Sequence, residues 1–143
     1  MKKDTPEKEK TAEQKKILII DDEPETVKEL IEHLESAGYK VTLALSGNEG
    51  LRKLREAPAD LIILDLMLPE MNGYKVARFI KFDKRFRNIP LVMFSARSDK
   101  LGEEPAKEVG VDAWFTKPFK PQEMFPALEK LLGKITVERG VKK

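Results

Sequence analysis

Two aliphatic runs, Ile17-Leu-Ile-Ile20 and Leu61-Ile-Ile-Leu64, stand out in an otherwise highly charged chain. Four aliphatic residues in succession, bounded by polar ones, predict a strand buried on both faces. Between them the pattern changes period. Val27, Leu30, Ile31 and Leu34 recur at helical spacing behind Pro24, which suits a first helical turn, and Gly38 follows as a stop. Val41–Leu45 reads as a second strand. Ser46-Gly-Asn-Glu49 is a capping-box pattern that opens a helix through Leu51 and Leu54, closed by Pro58.

Beyond the second run the alternation continues. Tyr74–Phe82 predicts a third helix, Pro90–Phe94 a fourth strand and Ala113–Phe115 a short fifth. Gly102 and Pro105 interrupt the pattern between Ser98 and Gly110, so a fourth helix there is short and begins near Glu104. A last helix is expected over Gln122–Leu132, ending at Gly133 and kinked at Pro126. Strands alternating with helices across short connections predict an α/β fold. The expectation is a single doubly wound domain, its parallel sheet covered by helices on both faces.

Composition sets the limits. The first sixteen residues are charged and aperiodic and predict a disordered tail; residues 17–132 form the domain, and 133–143 a basic tail or the start of a linker. Lys134–Val137 has some strand character. The formal charge is +2, but the two tails carry net +2 and +3, which leaves residues 17–132 at −3. A mildly acidic body is a poor footprint for nucleic acid. With no cysteine, disulfides and thiolate metal sites are excluded. No apolar run reaches the ~20 residues of a membrane span. The opening residues lack the apolar core of a secretory signal, so a cytoplasmic location is expected.

The chemistry is expected at the C-terminal ends of the strands, where open α/β sheets form their crevice. Asp21, Asp22 and Glu23 follow the first strand, Asp65 the third, Ser95 the fourth, and Lys117-Pro118 the fifth. Clustered carboxylates suit a hard cation with oxygen ligands, Mg²⁺ above all (or Mn²⁺). An ammonium and a hydroxyl opposite that cation suit an anionic group such as phosphoryl.

These motifs resemble the receiver domain of two-component response regulators. ILIIDDEPE is similar to that family's acidic pair, LIILDLMLPEMNGY to its phospho-acceptor strand and loop, LVMFSAR to its hydroxyl-Ala pair, and FTKPF to its Lys-Pro pair. The resemblance covers about residues 15–132. It implies a flavodoxin-like (βα)5 fold with strand order 2-1-3-4-5. Asp65 would accept a phosphoryl group from a histidine kinase or phosphotransfer protein. Asp22, Asp65 and the Met67 carbonyl would bind Mg²⁺ directly, and Asp21 through water. Lys117, Ser95 and the Ala96 N–H would hold the phosphoryl oxygens, and Lys117–Pro118 would be a cis peptide. Ser95 and Trp114 would form the switch, Trp114 standing where the family more often has Tyr or Phe. Met67 and Arg97 would restrict water and lengthen the life of the phospho-form. Output would pass through the fourth helix, fifth strand and fifth helix to a protein target, without direct DNA or membrane binding. A monomer or a weak phosphorylation-dependent dimer is expected.

Other readings explain less. One carboxylate ahead of Pro24 could simply cap the first helix, but a cap needs only one. An aspartate-nucleophile phosphatase would need an acid two residues after Asp65, where Met67 stands, so a turnover enzyme is not expected. A phosphorylation-independent adaptor would leave the conjunction of Asp21, Asp22, Asp65, Ser95 and Lys117 without a purpose. His33 falls off the first helix's apolar face and reads as a surface residue. In Arg78–Arg87, where Phe and basic residues interleave, Phe79 is expected to pack inward while the charges solvate the helix end.

Overall fold

Ile17 and Ile19 of the first run point to one side of a sheet, while Leu18 and Ile20 point to the other, and all four are buried. Leu61/Ile63 and Ile62/Leu64 divide in the same way. A two-residue period with no polar face requires cover on both sides. The computed structural model describes residues 15–96 and 109–141, with side chains through residue 133.

The elements run β1 (Lys16–Ile20), α1 (Pro24–Ser36), β2 (Lys40–Ala44), α2 (Gly47–Glu56), β3 (Leu61–Leu64), α3 (Gly73–Phe82), β4 (Leu91–Ser95), β5 (Ala113–Thr116) and α4 (Pro121–Val141). The five strands form one parallel sheet in the order β2-β1-β3-β4-β5. This flavodoxin-like topology is the one expected. Val27, Leu30 and Leu34 of α1 pack on one face with Met124, Leu128 and Leu132 of α4. Leu54 of α2 and Val76, Ala77 and Ile80 of α3 cover the other. Among the described residues no helix is long and apolar enough to cross a membrane.

Local chemistry explains the helix ends. Gly38 takes a positive φ of 99°, and the Gly38 and Tyr39 N–H groups donate to the Glu35 and Leu34 carbonyls at 3.0 and 3.1 Å. This is a Schellman closure, which needs a residue tolerant of left-handed backbone. Ser46 Oγ accepts the Glu49 N–H at 3.1 Å. The Glu49 carboxylate reaches back to the Leu45 N–H at 2.7 Å, one residue earlier than a capping box requires. Asn72 caps α3 by accepting from the Lys75 N–H at 3.0 Å.

Several expectations need correction. The last helix does not stop at Gly133 but runs to Val141, so Lys134–Val137 is helical rather than strand-like. Glycine ends a helix by entering left-handed backbone, and among the described residues only Gly38 and Gly110 do so. Pro126 lies inside this helix. β2 and β4 are each displaced by one residue, which leaves Leu45 outside its strand and brings Ser95 into one. Lys16 belongs to β1, not to the tail. His33 is half-buried: its ring lies edge-on to Phe119 at 5.2 Å and 6.1 Å from Phe125. Phe79 is 52% exposed and Phe82 82%, because Val76, Ala77 and Ile80 already fill the inner face of α3. The short helix expected near Glu104, with Gly102 and Pro105, lies outside the described residues, as do residues 1–14 of the expected tail.

Candidate functional site

Strand register brings the polar residues together. Ile20 pairs with Leu64, so Asp21 and Asp65 leave adjacent strands side by side. The Asp65 N–H donates to the Ile20 carbonyl at 3.0 Å, and the Asp21 N–H to the Ala44 carbonyl at 2.9 Å. Ser95 pairs with Thr116, and the Lys117 N–H donates to the Ser95 carbonyl at 2.8 Å. β1, β3, β4 and β5 therefore each deliver a polar residue to the same edge of the sheet.

One oxygen from each of Asp21, Asp22 and Asp65 lies within 4.8 Å of the others. Asp21 and Asp65 are buried, Asp22 half-exposed. Lys117 reaches over from β5. Its Nζ donates to Asp21 Oδ2 at 2.7 Å, lies 3.6 Å from Asp65 Oδ2 and stands 5.6 Å above the Phe94 ring. The other oxygens of these acids are held by backbone: Asp21 Oδ1 accepts the Glu23 N–H at 2.8 Å, and Asp65 Oδ1 the Met67 N–H at 3.2 Å. Asp21 thus shapes the entry to α1 while serving the site.

Burial pushes the Asp21 carboxyl above its ordinary range; the hydrogen bonds from Lys117 and the Glu23 N–H pull the other way, and the Asp65 charge adds to the rise. Burial is the largest of these effects, so the net shift is upward. Three carboxylates facing one ammonium, two of them buried, with oxygen the only donor type among the acids, fit a small hard cation.

The other expected residues can be placed. Ser95 is buried, Ala96 exposed, and Lys117–Pro118 is cis. Met67 is 58% exposed and lines, with Asp22, Leu66, Leu68, Pro69, Asn72 and Tyr74, a cleft of about 390 Å³ beside the acids. Trp114 is half-buried on β5 opposite Met93, and its indole nitrogen is buried without a hydrogen-bond partner among the described residues. Arg97 lies outside the described residues. Gly73 sits so close to the chain just after β3 that a Cβ there would strike the Asp65 carbonyl oxygen and the Leu66 Cα.

One residue was missed. Thr26 Oγ1, in the first turn of α1, accepts a hydrogen bond from Lys117 Nζ at 2.8 Å. A threonine in a helical first turn is common, so nothing in the chain marks it.

The comparisons agree with this architecture. The family profile described as response regulator receiver domain matches residues 17–129. The chain is 36% identical over 124 residues to the transcriptional regulatory protein BaeR of Escherichia coli, covering 87% of this chain and 50% of that one. It is also 36% identical over 118 residues to the alkaline phosphatase synthesis transcriptional regulatory protein PhoP of Bacillus subtilis, covering 82% and 48%. It therefore spans about half the length of these relatives. Among solved structures, a putative response regulator from Chloroflexus aurantiacus superposes with a TM-score of 0.79 at 29% identity, covering 83% of this chain and 98% of that one. A receiver domain of a sensor histidine kinase from Pseudomonas aeruginosa, with magnesium coordinated in its active site cleft, gives 0.76 at 28%, covering 83% and 98%. With a matching profile over most of its length and the same sheet order, the chain belongs to the response regulator receiver domain family.

Proposed function

We propose that this receiver accepts a phosphoryl group on Asp65 from the phospho-His of a sensor histidine kinase or phosphotransfer protein in the cytoplasm. The observation that carries this reading is the cluster itself: three aspartates with oxygens within 4.8 Å, and one ammonium 2.7 Å from Asp21 and 3.6 Å from Asp65. An Asp65 oxygen attacks phosphorus, the P–N bond breaks, and its electron pair returns to the imidazole nitrogen. Asp22, Asp65 and the Met67 carbonyl would hold Mg²⁺ or Mn²⁺, with Asp21 acting through water; the cation would supply neutralisation of charge on the transferring group. Lys117, Ser95 and the Ala96 N–H hold phosphoryl oxygens.

Movement of Ser95 and Trp114 then alters the surface formed by the segment after β4, by β5 and by α4, and a protein target reads that change. The net charge of −3 over residues 17–132 supports an output through protein contacts rather than through DNA held by this domain. Met67 and Arg97 limit access of water, so the phospho-form is long-lived. The protein acts as a switch and not as a turnover enzyme.

The test is incubation with acetyl phosphate and Mg²⁺ followed by intact mass. The wild type gains one phosphoryl group and Asp65→Ala gains none; equal labelling of the two refutes the assignment. Loss of the label within minutes in Mg²⁺ buffer would refute the long lifetime.

A further inference from the structure

Lys117 Nζ carries three protons, and two of them are committed: one to Asp21 Oδ2 at 2.7 Å, one to Thr26 Oγ1 at 2.8 Å. The Thr26 hydroxyl has one proton of its own, and it goes to the Glu23 carbonyl at 2.9 Å. With that proton spent, the hydroxyl faces the ammonium only as an acceptor. Its orientation is fixed by the first turn of α1 and not by the lysine. The arrangement joins residues 91 positions apart, and the lysine side chain is only 10% exposed.

From this geometry we infer that Thr26 is a positioning residue for phosphoryl acceptance. It acts through Lys117 and touches none of the three carboxylates. Asp21 alone would leave the ammonium free to rotate about a single bond. With Thr26 as a second anchor, the third proton is left for the Asp65 side, where Nζ and Oδ2 are 3.6 Å apart, an ion pair too long for a hydrogen bond. A phosphoryl oxygen added to Asp65 therefore meets an ammonium already aimed at it, and less ordering remains for the reaction step. Thr26 is itself exposed, so water partly replaces its hydroxyl when it is removed, and the effect is moderate.

This inference rests on the phospho-acceptor reading, and the experiment separates the two. Thr26→Val keeps the shape and removes the acceptor; Thr26→Ser keeps the acceptor. The maximal rate of Asp65 labelling by acetyl phosphate is expected to fall about fivefold to tenfold in the valine variant, with half-saturating Mg²⁺ and acetyl phosphate unchanged. The serine variant is expected to stay within about twofold of the wild type. A second readout needs no phosphorylation. In ¹⁵N spectra of lysine ammonium groups, the Lys117 signal should persist in the wild type and the serine variant and be lost to solvent exchange in the valine variant. Valine labelling as fast as the wild type, serine as slow as valine, or an unchanged Lys117 signal overturns the inference alone. A wild type that takes no label overturns the phospho-acceptor reading and, with it, any role of Thr26 in the reaction.

Discussion

Asp21 Oδ2 and Lys117 Nζ, 96 positions apart in the chain, meet at 2.7 Å with side chains only 2% and 10% exposed. This pair ties the end of β1 to the end of β5, yet it does not balance the site. Asp65 and Asp22 bring two more negative charges to the same place.

A site arranged this way opposes stability when no cation is bound. Asp65→Asn removes two repulsions and one attraction, and keeps an oxygen for the Met67 N–H. In chelator it should unfold at higher urea, with a gain of about 1 kcal/mol. Adding Mg²⁺ should stabilise the wild type more than the variant, since only a state that binds the ion gains from it. An asparagine variant less stable than the wild type in chelator would contradict this account.

Gly73 predicts a second measurable cost. A methyl group there has backbone, not a flexible side chain, in its path at Asp65 and Leu66. Gly73→Ala should lose about 1–3 kcal/mol in urea unfolding and slow the labelling of Asp65. Asn72→Ala, which removes only the helix cap, should cost about 1 kcal/mol and leave labelling closer to the wild type.

The two faces of the α3 region can be told apart by mutation. Phe82 is 82% exposed and Phe86 4%. Phe82→Ser should change stability by no more than about 0.5 kcal/mol, whereas Phe86→Ser should cost at least about 3 kcal/mol. Thermal unfolding of the two variants decides it, and equal losses would place Phe82 inside.

Asp83 carries the pH prediction. The Arg85 guanidinium and backbone N–H hold its carboxyl down to about 2. The folded value lies below the ordinary 3.8, so whatever this pair adds to stability is present above 3.8 and lost as pH falls towards about 2. A carboxyl ¹³C titration should show the Asp83 midpoint near that value in the wild type and higher in Arg85→Ala. An unchanged midpoint in the variant would remove Arg85 as the cause.

The contrast between Gly38 and Gly133 shows what could be read from the chain. Both follow a helical pattern, but only Gly38 adopts left-handed backbone, and that choice depends on whether the next residues return to the sheet. The strands were legible because runs such as Ile17–Ile20 and Leu61–Leu64 are apolar on both faces, a pattern with few other uses. Asp21, Asp65 and Lys117 were legible as strand-end residues, and the register brings them into contact. Phe79 and His33 were misread because helical spacing identifies the inner stripe but not how much a neighbouring helix covers at its edge. Thr26 was invisible for a related reason: its value comes from a partner 91 residues away.

The separation of Asp21 from Lys117 has a consequence for any divided form of this protein. A piece ending just after Asp65 would hold all three acids without Lys117; the complementary piece would hold Ser95 and Lys117 with nothing to grip. Neither half carries a weakened version of the site. On the proposed function, phosphoryl acceptance is therefore a property of the finished sheet, and labelling of Asp65 would report that the last strand has docked.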